Sequence, residues 1–500
     1  MSRLRTETKS EMNFKVKPWA HQLEVIERAK DLPGFGLFFD PRTGKSSTTI
    51  NLLRYKFNTN QRIFRTLIFS PPIVVPNWKE EWAKHSDIKS SQVICLQGEG
   101  KERVKKFHEL AFDKSGERQS KIFITNYESL LMKPLFAMFM LWLPEALVFD
   151  ESHNLKSFDS QRSKKADALA NPFQSNKPIK YILSGSPVLN APWDLFMQYK
   201  ILDGGRTFGD NFYVFRNRYF YDKNAAWKNS SSRKYFPDWD VRPGAVEEIN
   251  RLIQSTSKRV LKSECFDLPP FDRQIVKCEM TAEQTRVYKE LSKEYISFIG
   301  DRAISSTLAI TKALRLQQIS SGFCSLDGTG DEDDKATFRF ADNPKLKMLE
   351  ELLSEITESH KVIVWAVWRE NYALIRGVCE KLGLGYVEIH GDVPEKKKMA
   401  AKDEFNNNPA IKVVIAHPGS GGEGITLMTP YAIFYSRTFS LKHSIQAEAR
   451  NYGPEAMAHE KVTRIDLVCE GTIEEDIVEA LHRKEKMASD VLSEKIREKA

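Results

Sequence analysis

The chain has 500 residues, 41% of them hydrophobic, which is too many for one ordinary domain and enough for two large cores. A formal net charge of +8 is too small for a basic tail protein but is compatible with a polyanion held along one groove. The six cysteines contain no Cys-x-x-Cys pair to seed a zinc site or a disulfide framework, and the longest apolar run, 135–149, is interrupted by Pro144 and Glu145, so no membrane segment is expected.

Residues 36–39 (Gly-Leu-Phe-Phe) read as a buried strand, and Asp40-Pro41-Arg42-Thr43-Gly44-Lys45-Ser46 as a loop turning into a helix. Such a loop cradles phosphate: N–H groups at the helix start face the oxygens, Lys45 neutralises them, and the Ser46 hydroxyl ligates Mg²⁺. The full pattern wants a first glycine where Phe39 stands, and a bare Gly-Lys-Ser is common by chance. Further on, Trp78 and Trp82 fall at amphipathic helical spacing and read as packing residues rather than base-stacking platforms. Strand-like runs follow at 66–69, 122–125 and 146–149, the last leading directly into Asp150-Glu151-Ser152-His153. An isolated Asp-Glu pair is most often a helix cap. After a buried strand, and downstream of a phosphate loop in the same apparent α/β domain, the pair reads differently: Asp150 anchors Mg²⁺ and Glu151 polarises the water that attacks a γ-phosphate. Binding and hydrolysis of a nucleoside triphosphate is therefore the dominant reading.

A further strand-like run lies at 181–184. Residues 208–239 are aromatic and basic, with Arg216, Arg218, Lys223, Lys228, Arg233 and Lys234, and suit either a grip on DNA or a solvated helical protrusion. An amphipathic-looking stretch, 246–260, leads to Leu268-Pro269-Pro270, an extended linker near a domain boundary. Helices are expected over 281–299 and 308–319, and a solvated loop over 325–335, where Asp331, Glu332, Asp333 and Asp334 lack the alternation of a calcium loop. A second series of strands occupies 362–365, 413–416, 432–435 and 465–468. Two series of short apolar runs alternating with helical patterns predict two α/β domains with parallel sheets covered on both faces, divided as 1–265 and 266–500.

The order of these segments resembles the superfamily 2 helicase-like motors, and within them the Swi/Snf-type DNA translocases. Pro18-Trp19-Ala20-His21-Gln22 is similar to the adenine-reading glutamine motif, Thr43 to Ser46 to motif I, Asn126-Tyr127-Glu128 to motif Ib, Asp150 to His153 to motif II, and Leu183-Ser184-Gly185-Ser186-Pro187 to motif III. The block Pro76-Asn77-Trp78-Lys79-Glu80-Glu81-Trp82 narrows the resemblance to the Swi/Snf branch. In the second domain Val364-Trp365 resembles motif IV, Gly421 to Leu427 motif V and Gln446 to Arg450 motif VI, with Gly471-Thr472-Ile473-Glu474-Glu475 closing the domain.

The resemblance implies two tandem RecA-like doubly wound parallel-sheet domains with helical insertions and an ATP site in the cleft between them. Gln22 would meet adenine; Thr43, Gly44, Lys45 and Ser46 would bind the phosphates; Ser46 and Asp150 would hold Mg²⁺. Glu151 and Arg450 would serve catalysis, His153, Ser184, Ser186 and Gly424 coupling, and Asn126, Trp365, Gly421 and Thr426 the DNA. Two departures stand out: Thr426 replaces the usual motif V asparagine, and Gly453 stands where motif VI normally has its second arginine. That guanidinium can be worth a factor of about 10³ or more, so Arg450 serves alone, another cation such as Arg464 is recruited, or turnover is impaired. The chain most resembles compact phage and bacterial members, which implies a cytoplasmic motor on duplex, forked or branched DNA, with branch migration among its tasks. An RNA helicase, a nucleotide-gated DNA-binding module with impaired turnover, and a motor subunit of a restriction or repair assembly are the alternatives.

Overall fold

The structure, a computed structural model, describes residues 14–172, 177–228, 235, 237–301, 306–325, 337–419 and 425–492. The chain separates into two compact units, one of Met1–Asp222, Trp239–Cys265 and Met487–Ala500, the other of Lys223–Asp238 and Phe266–Lys486.

The first unit is built on β1 (Gly34–Phe39), β2 (Thr66–Ser70), β3 (Val93–Cys95), β4 (Ile122–Asn126), β5 (Ala146–Asp150), β6 (Ile179–Leu183) and β7 (Ser257–Val260). They form a sheet in the order β3-β4-β2-β5-β6-β1-β7 with every pairing parallel. Every residue of β1, β2 and β5 is buried, which is why these strands read as continuous apolar runs rather than alternating ones. Alternate residues still go to opposite faces: Leu147 and Phe149 join a core with Phe107 and Trp142, whereas Ala146 and Val148 join one with Leu53, Trp78 and Trp82. Leu183 of β6 stands opposite both Leu37 of β1 and Asp150 of β5. The loops leaving these three strands therefore start at nearly one level at the carboxyl edge, where open α/β sheets bind ligands.

The second unit holds β8 (Phe271–Cys278), β9 (Val362–Trp365), β10 (Gly385–Ile389), β11 (Ile411–Ala416), β12 (Tyr431–Phe434) and β13 (Val462–Cys469). Their order is β8-β13-β12-β9-β11-β10, again all parallel. Val364, Ile415, Ile433 and Leu467 face one core; Ile363, Trp365, Val414 and Phe434 face the other. The two expected α/β parallel-sheet domains are both present.

Three local features differ from expectation. The stretch 246–260 divides into a helix, Ala245–Ile253, and the edge strand β7. Strand β8 follows directly on Pro269-Pro270; its Asp272, Arg273, Gln274 and Lys277 hide it from an apolar-run search and suit an edge that must not pair further. In the basic aromatic region, Phe212–Tyr219 is a short helix followed by a hairpin of Phe220–Asp222 with Trp239–Val241, while Arg233 and Lys234 lie outside the described residues, as do Asp331, Glu332, Asp333 and Asp334. Among the described residues no helix is long and apolar enough to cross a membrane.

Candidate active site

At the end of β1 the chain turns through Arg42 (φ 74°) and Gly44 (φ 85°) into the helix Lys45–Thr59. Gly44 is required twice over. Its left-handed backbone favours glycine, and a Cβ there would fall 1.9 Å from the Gln22 amide nitrogen. The N-cap residue, Gly44, offers no side-chain cap, which suits the leading N–H groups to an anionic ligand. Thr43 Oγ1 donates to the Asp40 carbonyl at 2.9 Å and Lys45 Nζ to the Phe39 carbonyl at 2.9 Å, which keeps the ammonium at the strand end. Ser47, Thr48 and Thr49 donate their hydroxyls back to carbonyls of the same helix turn. The Ser46 hydroxyl makes no such bond among the described residues.

Gln22 supports the loop from outside: its Nε2 lies 3.4 Å from the Thr43 carbonyl and 3.2 Å from Ser47 Oγ, and its Oε1 accepts from the Trp19 N–H at 2.9 Å. His21 Nε2 sits 2.9 Å from the same Thr43 carbonyl.

Asp150, the last residue of β5, is 6% exposed. Trp78 Nε1 donates to its Oδ2 at 2.9 Å and the Glu151 N–H to its Oδ1 at 3.0 Å, while Tyr127 donates its hydroxyl to the Asp150 carbonyl at 2.7 Å. Burial, followed by repulsion from Glu151, pushes the Asp150 carboxyl up to about 6, against the Trp78 N–H and the Lys45 ammonium. A carboxylate so placed gains from a cation. With the Ser46 hydroxyl it makes an all-oxygen donor pair of the kind magnesium takes, beside a loop shaped for phosphate, so the residues fit a magnesium nucleotide.

Glu151 is left-handed (φ 53°, ψ 53°), a conformation that costs a non-glycine residue about 1–3 kcal/mol and persists only where surroundings impose it. Here Asn154 donates both its backbone N–H and its Nδ2 to the Glu151 carbonyl at 2.9 Å. The Glu151 carboxylate lies 3.2 Å from His153 Nδ1, and that same nitrogen is 3.1 Å from Ser184 Oγ at the end of β6. Ser184 Oγ also accepts the Ser186 N–H at 3.1 Å. A parallel tie runs from Ser152, whose hydroxyl donates to Gln198 Oε1 at 2.7 Å, to Gln198 Nε2, which donates to the Pro187 carbonyl at 2.8 Å. Asp194 Oδ2 accepts the N–H groups of Leu189 and Asn190. The sequence-predicted Lys45, Ser46, Asp150, Glu151, His153, Ser184 and Ser186 thus lie at or just beyond the carboxyl ends of β1, β5 and β6. Trp78, Tyr127, Gln198 and Asp194 were missed as participants. For Trp78 the regular spacing with Trp82 pointed only to packing, and Gln198 and Asp194 lie in a helix with no motif of its own.

The remaining candidates are dispersed. Asn126 ends β4, with its Oδ1 accepting from Arg103 Nη1 at 2.9 Å and Ser129 Oγ at 3.2 Å. In the second unit Arg450 is 8% exposed and its Nη1 lies 3.4 Å from the Ile425 carbonyl, while the Thr426 carbonyl accepts from Asn406 Nδ2 at 2.9 Å. Gly421 and Gly424 lie outside the described residues. Trp365, expected at the DNA, is 1% exposed and stacked on Phe434, so its side chain lies in the core. Gly453 is extended (φ −159°, ψ −162°), a backbone any residue adopts. Arg464, the other cation weighed as a replacement for the missing arginine, is already engaged. It is 2% exposed and paired with Asp466 at 2.9 Å and Glu448 at 3.4 Å, and Asp466 is shared with Arg437 at 2.8 Å. Its guanidinium is one of several charges in a shared ion-pair cluster, in which Glu448 also meets Arg273 at 3.0 Å.

Comparison with known proteins gives a match to the SNF2-related domain over residues 26–323 and to the Helicase conserved C-terminal domain over residues 344–452. The chain is 22% identical to protein p41 of Acyrthosiphon pisum secondary endosymbiont phage 1 over 97% of its own length and 99% of that protein. It is 23% identical to the DNA repair and recombination protein RDH54 of Saccharomyces cerevisiae (85% of this chain, 48% of that one). It is equally 23% identical to the chromodomain-helicase-DNA-binding protein 1-like of Danio rerio (90% and 41%). It therefore spans nearly all of the phage protein but less than half the length of these two eukaryotic ones. Among solved structures, the Sulfolobus solfataricus SWI2/SNF2 ATPase core in complex with dsDNA matches with a TM-score of 0.42 and 22% identity, covering 97% of this chain and 94% of that one.

Proposed function

The chain belongs to the SNF2-related family of helicase-like ATPases, and from that premise we propose that it is a DNA-dependent motor that couples ATP hydrolysis to movement along duplex DNA. The observation that carries the reading is the meeting of the phosphate loop, the Asp150-Glu151 carboxylates and the Ser184 loop at the carboxyl ends of β1, β5 and β6. In this proposal the N–H groups at the start of the Lys45–Thr59 helix and the Lys45 ammonium bind the β- and γ-phosphates, and Ser46 with Asp150 holds Mg²⁺. The metal, bound with the nucleotide, supplies charge neutralisation at the phosphates. Glu151 orients the attacking water and accepts its proton. His153, between Glu151 and Ser184, reports the state of the γ-phosphate to the Ser184–Ser186 loop. Gln22 braces the loop and reads adenine; Arg450 is the catalytic cation by motif resemblance.

DNA as the track is supported by the names of the yeast and zebrafish relatives, and phosphate contacts by Asn126 and Thr426 are part of the proposal. The partition into domains 1–265 and 266–500, a cytoplasmic location, and a preference for forked or branched DNA with branch migration belong to it as well. The test is an ATPase assay over linear, forked and four-way duplexes, single strands and RNA. Duplex or branched DNA should stimulate wild type, and Lys45→Ala should abolish that stimulation while keeping its circular dichroism spectrum. Stimulation by RNA alone, or turnover retained by the variant, overturns the assignment.

Gly453, together with the enclosure of Arg464, favours one second reading, a nucleotide-gated DNA clamp with little turnover. It expects ATP to tighten DNA binding with no steady-state phosphate release.

A further inference from the structure

Helix Val75–His85 carries two tryptophans at i and i+4, Trp78 and Trp82, each 1% exposed and both in the same core. They are equal in size and burial and unequal in bonding. The Trp82 ring lies nearly parallel to Phe57, with centroids 6.3 Å apart, and its Nε1 has no acceptor among the described residues. Trp78 Nε1 donates to Asp150 Oδ2 at 2.9 Å.

We propose that Trp78 is a positioning residue for magnesium: its indole N–H holds the Asp150 carboxylate in the orientation that receives the metal ion of the bound nucleotide. This rests on the nucleotide site proposed above. The terminal torsion of an aspartate is broad and twofold, so a free Asp150 carboxylate would sample several orientations. Two donors from different elements remove that freedom, the Trp78 indole on Oδ2 and the Glu151 N–H on Oδ1. An indole N–H is a neutral donor with no acceptor capacity. Unlike a lysine or arginine it neither cancels the carboxylate charge nor competes with the metal, and each oxygen keeps a lone pair for coordination. Partners that orient a ligand in this way are commonly worth about 10–100-fold in metal affinity. The proposal gives the Pro76 to Trp82 block a role in the nucleotide site, distinct from packing and from base stacking.

The experiment measures binding of a fluorescent ADP analogue to the full chain while Mg²⁺ is titrated, and again in EDTA. Three proteins are compared with wild type: Trp78→Phe, Trp82→Phe, and a chain with 3-benzothienylalanine at position 78, which keeps the indole shape and replaces N–H by sulfur. The expected result is a rise of about tenfold in the Mg²⁺ concentration at half-saturation for both position-78 proteins, with EDTA binding unchanged. Trp82→Phe should stay within about twofold of wild type, because it loses packing but no bond to Asp150. Should Trp78→Phe fail to fold, the benzothienyl chain carries the comparison. An unshifted Mg²⁺ dependence at position 78, or an equal shift in Trp82→Phe, overturns the proposal while leaving the nucleotide site standing. A wild type that binds no nucleotide at all overturns the site itself, and the role of Trp78 with it.

Discussion

In the proposed nucleotide site, Asp150 is the residue at which folding and chemistry make opposite demands. Its carboxyl is raised from 3.8 to about 6, so the protonated form is the one the metal-free fold prefers. The sign follows from linkage: stability from this group is fully present below the unfolded value and lost as pH rises through about 6, leaving a cost of about 2–3 kcal/mol at neutral pH. Asp150→Asn removes the charge and keeps one acceptor, for the Trp78 N–H, at the loss of the Glu151 N–H bond. It should raise the melting temperature of the metal-free protein at pH 7.5, by less as pH falls below 6, and should abolish hydrolysis; melts at several pH values check this. Gly44→Ala makes the opposite trade. The new Cβ would meet Gln22 in a backbone conformation already unfavourable to alanine, so the loop must distort. Loss of nucleotide binding with a modest drop in melting temperature is expected, read by nucleotide titration and a melt.

Among elements, the loops after β5 and β6 act as one piece. Gln198, fully buried, ties Ser152 to the Pro187 carbonyl and itself to the Asp194 carbonyl. Gln198→Ala would leave a buried hydroxyl and carbonyl unpaired, at about 1–3 kcal/mol each where water cannot reach them. Because none of these hydrogen bonds reaches the phosphate loop, KM for ATP should stay near wild type while kcat falls several-fold; steady-state kinetics separate the two. Two strands that position the site were legible in the sequence, since β1 and β5 are apolar on both faces and lead into the phosphate loop and the Asp150-Glu151 pair. The ties between loops were not. A glutamine in the middle of an apolar helix, or an indole whose N–H finds a carboxylate 72 residues away, leaves no periodicity or motif to read. Strand β8 escaped because an edge carrying Arg273 and Lys277 resembles a loop, and the burial of the Trp365 ring was hidden because its motif marks a strand end without saying which face the ring takes.

For the whole molecule, a net charge of +8 and the proposed sequence-tolerant grip on phosphates make salt the controlling variable. The DNA concentration giving half-maximal ATPase stimulation should rise steeply between 50 and 200 mM salt, on the order of 10³-fold if six phosphates are neutralised, and change little with base sequence. A flat salt response would remove phosphate tracking from the proposal.

The left-handed backbone of Glu151 has a consequence for anyone who sets out to harden this protein. Glycine at 151 would relieve about 1–3 kcal/mol of strain, and asparagine at 150 would remove a buried charge. A selection for heat resistance alone would therefore be drawn to two neighbouring codons and, on the proposed mechanism, return a sturdier, inert protein. Thermal robustness of this chain has to be sought away from β5, under a screen that scores turnover alongside survival.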